Sequence, residues 1–228
     1  MNMKTTAEIV AMLKAHGSRT NVEGMARFGI TSKKVLGVSA PDLRSIAKQT
    51  GRNHRLAAEL WKAGILETRV LAAFVEEPDR VTPAQMDRWA GDFDSWAVCD
   101  GVCLHLFVKT PHAHKKSLCW SRDEREFVRR AGFTLMACLA VHDKGATDNQ
   151  FEKFFPRIRS TAADERNFVK KAVNWALRQI GKRNVNLNRR AIQVAEEIRR
   201  MESKSARWTA ADALRELRSG AVQKKVRK

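Results

Sequence analysis

The sequence predicts an all-α protein of stacked antiparallel helix pairs, a solenoid with a concave basic groove. Two observations carry that reading. Apolar residues recur with a period near 3.6 in almost every segment, and no segment alternates as a strand would. Glycines and prolines punctuate the chain closely, so the helices are short and the turns tight. Helix pairs of that size cannot bury their apolar faces alone and must stack on neighbours. No repeat of fixed period is visible, so the solenoid rests on helix rhythm.

The elements follow in order. Thr6 to Ala15 opens a first helix, stopped by Gly17, and Val22 to Phe28 a second, stopped by Gly29. Ser39-Ala40-Pro41-Asp42 is a helix start, with Ser as N-cap and Pro in the first turn; Gly51 ends that helix. His54 to Lys62 and Leu66 to Glu76 form a pair split by Gly64 and closed by Pro78. Thr82-Pro83 opens the next helix, and Ser95 caps an apolar one from Trp96 to Val108. Further helices are expected over 112–119, 123–141, 149–159, 163–182, 188–200 and 206–217.

The 228 residues allow one large domain or two small ones. We read residues 1–228 as a single domain with a short basic C-terminal tail from about 219, frayed over Gln223–Lys228. Apolar residues make up 43% of the chain, which excludes wholesale disorder. No run of 18 apolar residues exists, so no membrane span is expected. The first residues, Met1 to Glu8, lack the apolar stretch of a secretory signal. Cys99, Cys103, Cys119 and Cys138 sit on predicted helices without disulfide or metal spacing, pointing to a reducing, cytoplasmic setting.

The charge is lopsided. Net charge is +18, of which residues 153–228 carry +14 with 21 Lys and Arg against 7 Asp and Glu. A pI near 10.4 with that asymmetry implies a polyanionic partner, most simply nucleic acid.

Two constellations could carry chemistry. In Trp96-Ala97-Val98-Cys99-Asp100 the single carboxylate of an apolar helix lies four residues after an indole, on the same face. A desolvated carboxylate costs several kcal/mol uncompensated. Beside an indole it suits a ligand that is, or becomes, cationic. A salt bridge from Asp100 to a neighbouring Arg is the structural alternative. In the second constellation Lys171, Trp175, Arg178 and Lys182 form one stripe, with Val169, Ala172, Val173, Ala176 and Ile180 opposite. Cations for phosphates around an aromatic plate make a nucleic-acid surface; a Trp lying flat under Lys stems is the alternative.

Other groups offer less. One of Arg129 and Arg130 must point toward the core or groove, since neighbours on a helix lie about 100° apart. Cys99, Cys103 and His105 lack a fourth ligand at metal spacing, and His112 and His114 read as exposed. No P-loop, dinucleotide turn, zinc-protease helix or nucleophile elbow is present, and there is no tyrosine to serve as nucleophile.

These pieces in this order resemble the DNA alkylation repair family, the AlkD-type alkylpurine DNA glycosylases built of HEAT-like repeats. The resemblance rests on Gly37-Val38-Ser39-Ala40-Pro41-Asp42-Leu43-Arg44-Ser45-Ile46-Ala47-Lys48, Glu67–Ala73, Asp94-Ser95-Trp96 with Asp100, the arginine pair before Ala131, and Phe168–Arg178. It implies that Asp100 is catalytic, that Trp96 and Trp175 hold the lesion nucleotide's deoxyribose, and that Arg130 is a groove arginine at the DNA backbone. We assign Lys171, Arg178 and Lys182 to the same backbone. One departure is Ala97, where the family usually has an acidic residue.

The resemblance further implies hydrolysis of the N-glycosidic bond of cationic N3- or N7-alkylated purines in duplex DNA, for base excision repair, without base flipping. No metal, cofactor or obligate protein partner is implied, and we expect a monomer associated with the nucleoid through DNA. The alternative is a non-catalytic helical-repeat module that binds DNA or RNA by shape, which Ala97 favours.

Overall fold

The computed structural model describes residues 4–30 and 32–227. The polar start at Met1–Met3 and the last basic residue, Lys228, therefore lie outside the described residues. Every regular element among them is helical, as the 3.6 period predicts. The chain divides into two compact units, Met1–Pro111 and His112–Lys228.

The first unit holds α1 (Thr6–Ala15), α2 (Arg19–Arg27), α3 (Ala40–Thr50), α4 (His54–Lys62), α5 (Leu66–Val75), α6 (Pro83–Gly91) and α7 (Trp96–His105). Helix α5 is its hub, packing on α3, α4 and α7. The Ser39 start is as expected: its hydroxyl accepts from Asp42 N–H at 3.3 Å, with Pro41 in the first turn. The segment before it is held from α5. The fully buried Glu67 carboxylate accepts from the N–H groups of Leu36 (3.0 Å) and Gly37 (2.7 Å). Gly37 has φ +77, and a Cβ there would lie 2.2 Å from the Ser18 carbonyl, so only glycine fits. Helix α7 stops at His105, three residues short of the expected Val108, because the chain tightens into a 3-10 turn at Phe107–Lys109 that buries Phe107.

The second unit holds α8 (Ala113–Trp120), α9 (Glu126–His142), α10 (Asp148–Glu152), α11 (Phe155–Thr161), α12 (Asn167–Ile180), α13 (Val185–Arg199), α14 (Lys204–Leu217) and α15 (Gly220–Val226). Helix α9 packs on α8 and α12, α12 on α14, and α13 on α14. Gly132 permits the α8–α9 approach, since a Cβ there would sit 2.4 Å from the Ser121 nitrogen.

The structure corrects four sequence expectations here. The single helix expected over 149–159 is two helices, because Pro156 belongs in a first turn and Phe151, Phe154 and Phe155 all turn inward. The frayed tail is helix α15: Ser219 caps it, and Val222 and Val226, one turn apart, are buried. His114 is half-buried, its Nε2 3.0 Å from Asp143 and its ring stacked on Phe154.

The fourth correction is the repeat. Asp123-Glu124-Arg125 precedes α9 and Asp164-Glu165-Arg166 precedes α12, 41 residues apart. Each aspartate accepts from the backbone N–H of its arginine, at 2.9 and 3.1 Å, and from that arginine's guanidinium. That turn holds both segments out of the helix, which is why α9 and α12 begin three or four residues later than expected. The repeat positions also meet across the two helices. Phe127 and Phe168 touch at 5.5 Å, and Arg129 reaches Asp164 at 2.9 Å. Burial raises the Asp164 pKa, but hydrogen bonds from Arg166 and Arg129 outweigh it and hold the carboxyl below its ordinary value.

Candidate nucleic-acid interface

Helix α7 carries the candidate carboxylate. Its inward face is Val98, Cys99, Val102 and Cys103, all buried, against α5. Its other face is half-buried and consists of Trp96, Ala97, Asp100, Gly101 and Leu104, so Asp100 is the one carboxylate in an apolar strip. Ala97 and Gly101, on either side of Asp100, keep the surface low beside it. A Cβ at Gly101 would meet Val70 only at ordinary contact distance, 3.6 Å, so packing does not demand glycine there.

The turn before α7 is anchored in several ways. Ser95 caps the helix. Asp94 accepts from the Ser32 hydroxyl at 3.0 Å and lies 3.7 Å from Arg69. Arg69 also donates to the Asp92 carbonyl at 2.8 Å and lies over the Trp61 ring. Trp61 in turn stacks on Trp89 with centroids 4.1 Å apart. Trp96 donates its indole N–H to the Phe28 carbonyl at 3.0 Å. The indole forms one wall of an open, mainly apolar pocket of about 460 Å³ with Met25, Phe28 and Val38. The indole orientation and the start of α7 are therefore both fixed.

Helix α12 presents the basic stripe where the periodicity put it. Val169, Ala172, Val173, Ala176 and Ile180 are fully buried, Lys171 is exposed, and Trp175, Arg178 and Lys182 are half-buried. With the Gln179 carboxamide turned to satisfy both neighbours, its oxygen accepts from Trp175 Nε1 at 3.1 Å and Lys182 Nζ at 3.3 Å. A parallel acidic ridge on α14 answers the cations. Glu216 accepts from Arg178 at 2.5 Å and Lys182 at 2.6 Å, and Asp212 lies 3.6 Å from Arg178. Burial pushes the Glu216 pKa up, but hydrogen bonds from Lys182 and Arg178 bring it below the ordinary value.

Arg130 is placed differently from the expectation of a groove arginine. It is 6% exposed, and its guanidinium donates to the Phe168 carbonyl at 2.6 Å, fixing the first turn of α12. Arg129 is the partner bound to Asp164. Trp96 and Asp100 thus share one helix face in the first unit, and Lys171, Trp175, Arg178 and Lys182 share another in the second.

The family model described as DNA alkylation repair enzyme matches residues 9–217. The chain belongs to that family. A solved structure from "a new family of proteins related to the HEAT-like repeat DNA glycosylases with affinity for branched DNA structures" is similar at 18% identity and a TM-score of 0.79. The match covers 98% of this chain and 96% of that one. It shows the fold to be HEAT-like. An engineered protein is matched at 14% identity over 96% of this chain and 100% of its own, with a TM-score of 0.47. No curated protein matches. Among the described residues no helix is long and apolar enough to cross a membrane, and no cluster of metal-ligating side chains occurs.

Sequence reasoning missed three contributors. Glu67 and Arg69 lie in the 67–73 segment that resembles the DNA alkylation repair family, yet their work, holding the 36–38 segment and the turn before α7, shows only in space. Trp208 on α14 is 43% exposed, with the Lys170 ammonium 5.0 Å from its ring centre. A lone tryptophan on a polar helix was the available signal.

Proposed function

We propose that this chain is a DNA glycosylase that binds duplex DNA and hydrolyses the N-glycosidic bond of cationic N3- or N7-alkylated purines, without flipping the base. The observation that carries the reading is the half-buried Asp100, set in an apolar strip one turn from the anchored Trp96. Alkylation at N3 or N7 makes the purine a good leaving group. As it departs with the bonding electron pair, C1′ takes on oxocarbenium character, and water then adds to C1′ and loses a proton. A fixed anion in a water-poor setting stabilises that cation where it develops. The faces of Trp96 and Trp175 offer the sugar attraction that grows with its positive charge.

Lys171, Arg178 and Lys182 supply the grip on the backbone. Lys171 is exposed for a first contact, while Arg178 and Lys182 exchange Glu216 for phosphate. Arg130 serves the same face by fixing the start of α12. The protein acts as a monomer on nucleoid DNA in this reading.

A second reading, a non-catalytic DNA-binding module, is favoured by Ala97 and by the pairing of two stripe cations with Glu216. The affinity for branched DNA stated for the structural relative fits it as well. Incubating the protein with N-methylated duplex and measuring free N3-methyladenine and N7-methylguanine separates the two. Release supports the glycosylase; tight binding without release supports the module.

A further inference from the structure

Beyond the end of the basic stripe, a pocket of about 290 Å³ opens between the ends of α9 and α12 and the helix α15. It is lined by Lys144, Lys182, Arg183 and Lys225 with Gln179, and no carboxylate lines it. Cations at helix C-termini are ordinary, since each favours the local dipole by tenths of a kcal/mol. Glu216 pairs with Lys182, and Asp143 and Asp148 favour the charge on Arg183, but Lys144 and Lys225 bring two further cations to the same concavity against mutual repulsion.

The members differ in what already holds them. Arg183 is built in: it donates to the carbonyls of Ala140 at 2.7 Å and Ala146 at 3.3 Å and lies 4.1 Å over the Phe151 ring. Its buried Nε has no acceptor in the described structure. Lys182 is shared with Glu216. Lys144 and Lys225 are exposed at the rim.

We infer that this pocket seats a backbone phosphate of bound DNA, extending the contact made by the α12 stripe. This rests on the DNA-binding reading above and deepens it. From Lys171 to its end at Ile180 helix α12 runs about 14 Å, close to four base steps of duplex rise, so the pocket lies at the far end of that track. A phosphate there gains donors from several directions at once. Seating it also touches the chain that orients the reacting end. Lys182 and the Trp175 indole share the Gln179 oxygen, so a phosphate on Lys182 bears on the setting of Trp175.

The test is the double variant Lys144→Gln/Lys225→Gln, two exposed changes that leave the folded core alone. Lys153→Gln, an exposed lysine elsewhere in the same unit, is the charge-loss control, and Lys171→Gln the stripe comparator. Duplex affinity is measured against salt. The expected result is a log–log salt slope shallower by about 0.9 per lysine in contact, with several-fold weaker binding at moderate salt, where Lys153→Gln changes neither. A double variant that matches Lys153→Gln while Lys171→Gln weakens binding overturns the pocket and leaves the DNA-binding reading standing. Wild-type protein without salt-dependent duplex binding removes the reading on which the pocket rests.

A second arm adds inorganic phosphate at constant ionic strength and follows thermal melting. Stabilisation of wild type but not of the double variant, with an unchanged DNA salt slope, assigns the pocket to a free anion and overturns the backbone assignment. Absence of that stabilisation, with the shallower slope, supports it.

Discussion

Helices α7 and α12 each offer a half-open face with one tryptophan, yet the two faces carry opposite charge. On α7 a single carboxylate sits, half-buried, among Trp96, Ala97, Gly101 and Leu104. On α12 two of the three stripe cations are answered by Glu216 of the neighbouring helix α14. A group meant to stabilise a transient cation needs low dielectric and a fixed position. Groups meant to hold a polyanion need mobility and a counterion they can exchange. In the proposed reading the carboxylate of the first face serves the chemistry and the cations of the second serve the grip.

The largest effect should come from removing the α7 charge alone. Asp100→Asn keeps the shape while removing the charge and turning one acceptor oxygen into a donor, and duplex affinity should stay within a few-fold. Base release should fall by about 10²–10³, the typical worth of one electrostatic group at the reacting centre. Single-turnover release from methylated duplex checks this, and an Asn variant with wild-type release would transfer catalysis away from α7.

Next are the two indoles. Each is half-buried, so Trp96→Ala and Trp175→Ala should melt close to wild type while losing turnover. A sugar-stacking contact is worth about 1–3 kcal/mol, or roughly 5- to 150-fold in rate. Were either ring a core residue, truncation would cost about 3–5 kcal/mol of stability instead. Melting temperature and release, measured on the same preparations, separate the two. Trp96→Phe adds a control: the face remains while the bond to the Phe28 carbonyl is lost.

How much of this was legible beforehand differs between the two helices. The α12 stripe was fully readable, because its period puts cations on one side and Val169, Ala172, Val173, Ala176 and Ile180 on the other. The Asp100–Trp96 pairing was readable as an i, i+4 spacing. What answers those groups was not, since Glu216 is 34 residues from Lys182 and no local pattern links them. Arg130 and Arg129 look equivalent in sequence, yet the first is buried with its guanidinium on the Phe168 carbonyl and the second is half-buried and bound to Asp164. The 41-residue repeat escaped because it is kept only over the turn and the first helical turns, Asp123–Ala131 against Asp164–Ala172. Asp123 and Asp164 make the same turn, but Thr134 stands where Trp175 stands one repeat on.

A smaller effect tests the exchange idea. Glu216→Gln removes the counterion of Arg178 and Lys182, so duplex affinity should rise several-fold and the salt slope steepen by about 0.9 to 1.8. An unchanged affinity would mean that carboxylate and phosphate do not compete for these cations. The pH arm has a definite sign. The folded pKa of Glu216 is depressed, so its contribution is full above the ordinary carboxylate value and is lost as pH falls through the folded value. Wild type should therefore lose stability more steeply than Glu216→Gln as pH falls below the ordinary carboxylate range in acid melts.

The smallest expected effect sits beside the carboxylate, at Gly101. Its backbone is not in the left-handed region, and a methyl there meets Val70 at 3.6 and 3.8 Å, ordinary contact. Gly101→Ala should thus stabilise α7 by about 1 kcal/mol through helix propensity alone, raising the melting point by a few degrees. The same methyl raises the floor of the strip next to Asp100. If the lesion sugar settles on that strip, KM or the chemical step should worsen by a few-fold despite the gain in stability. Higher melting with wholly unchanged base release would place the sugar elsewhere, and Asp100 would then act from a distance rather than at contact.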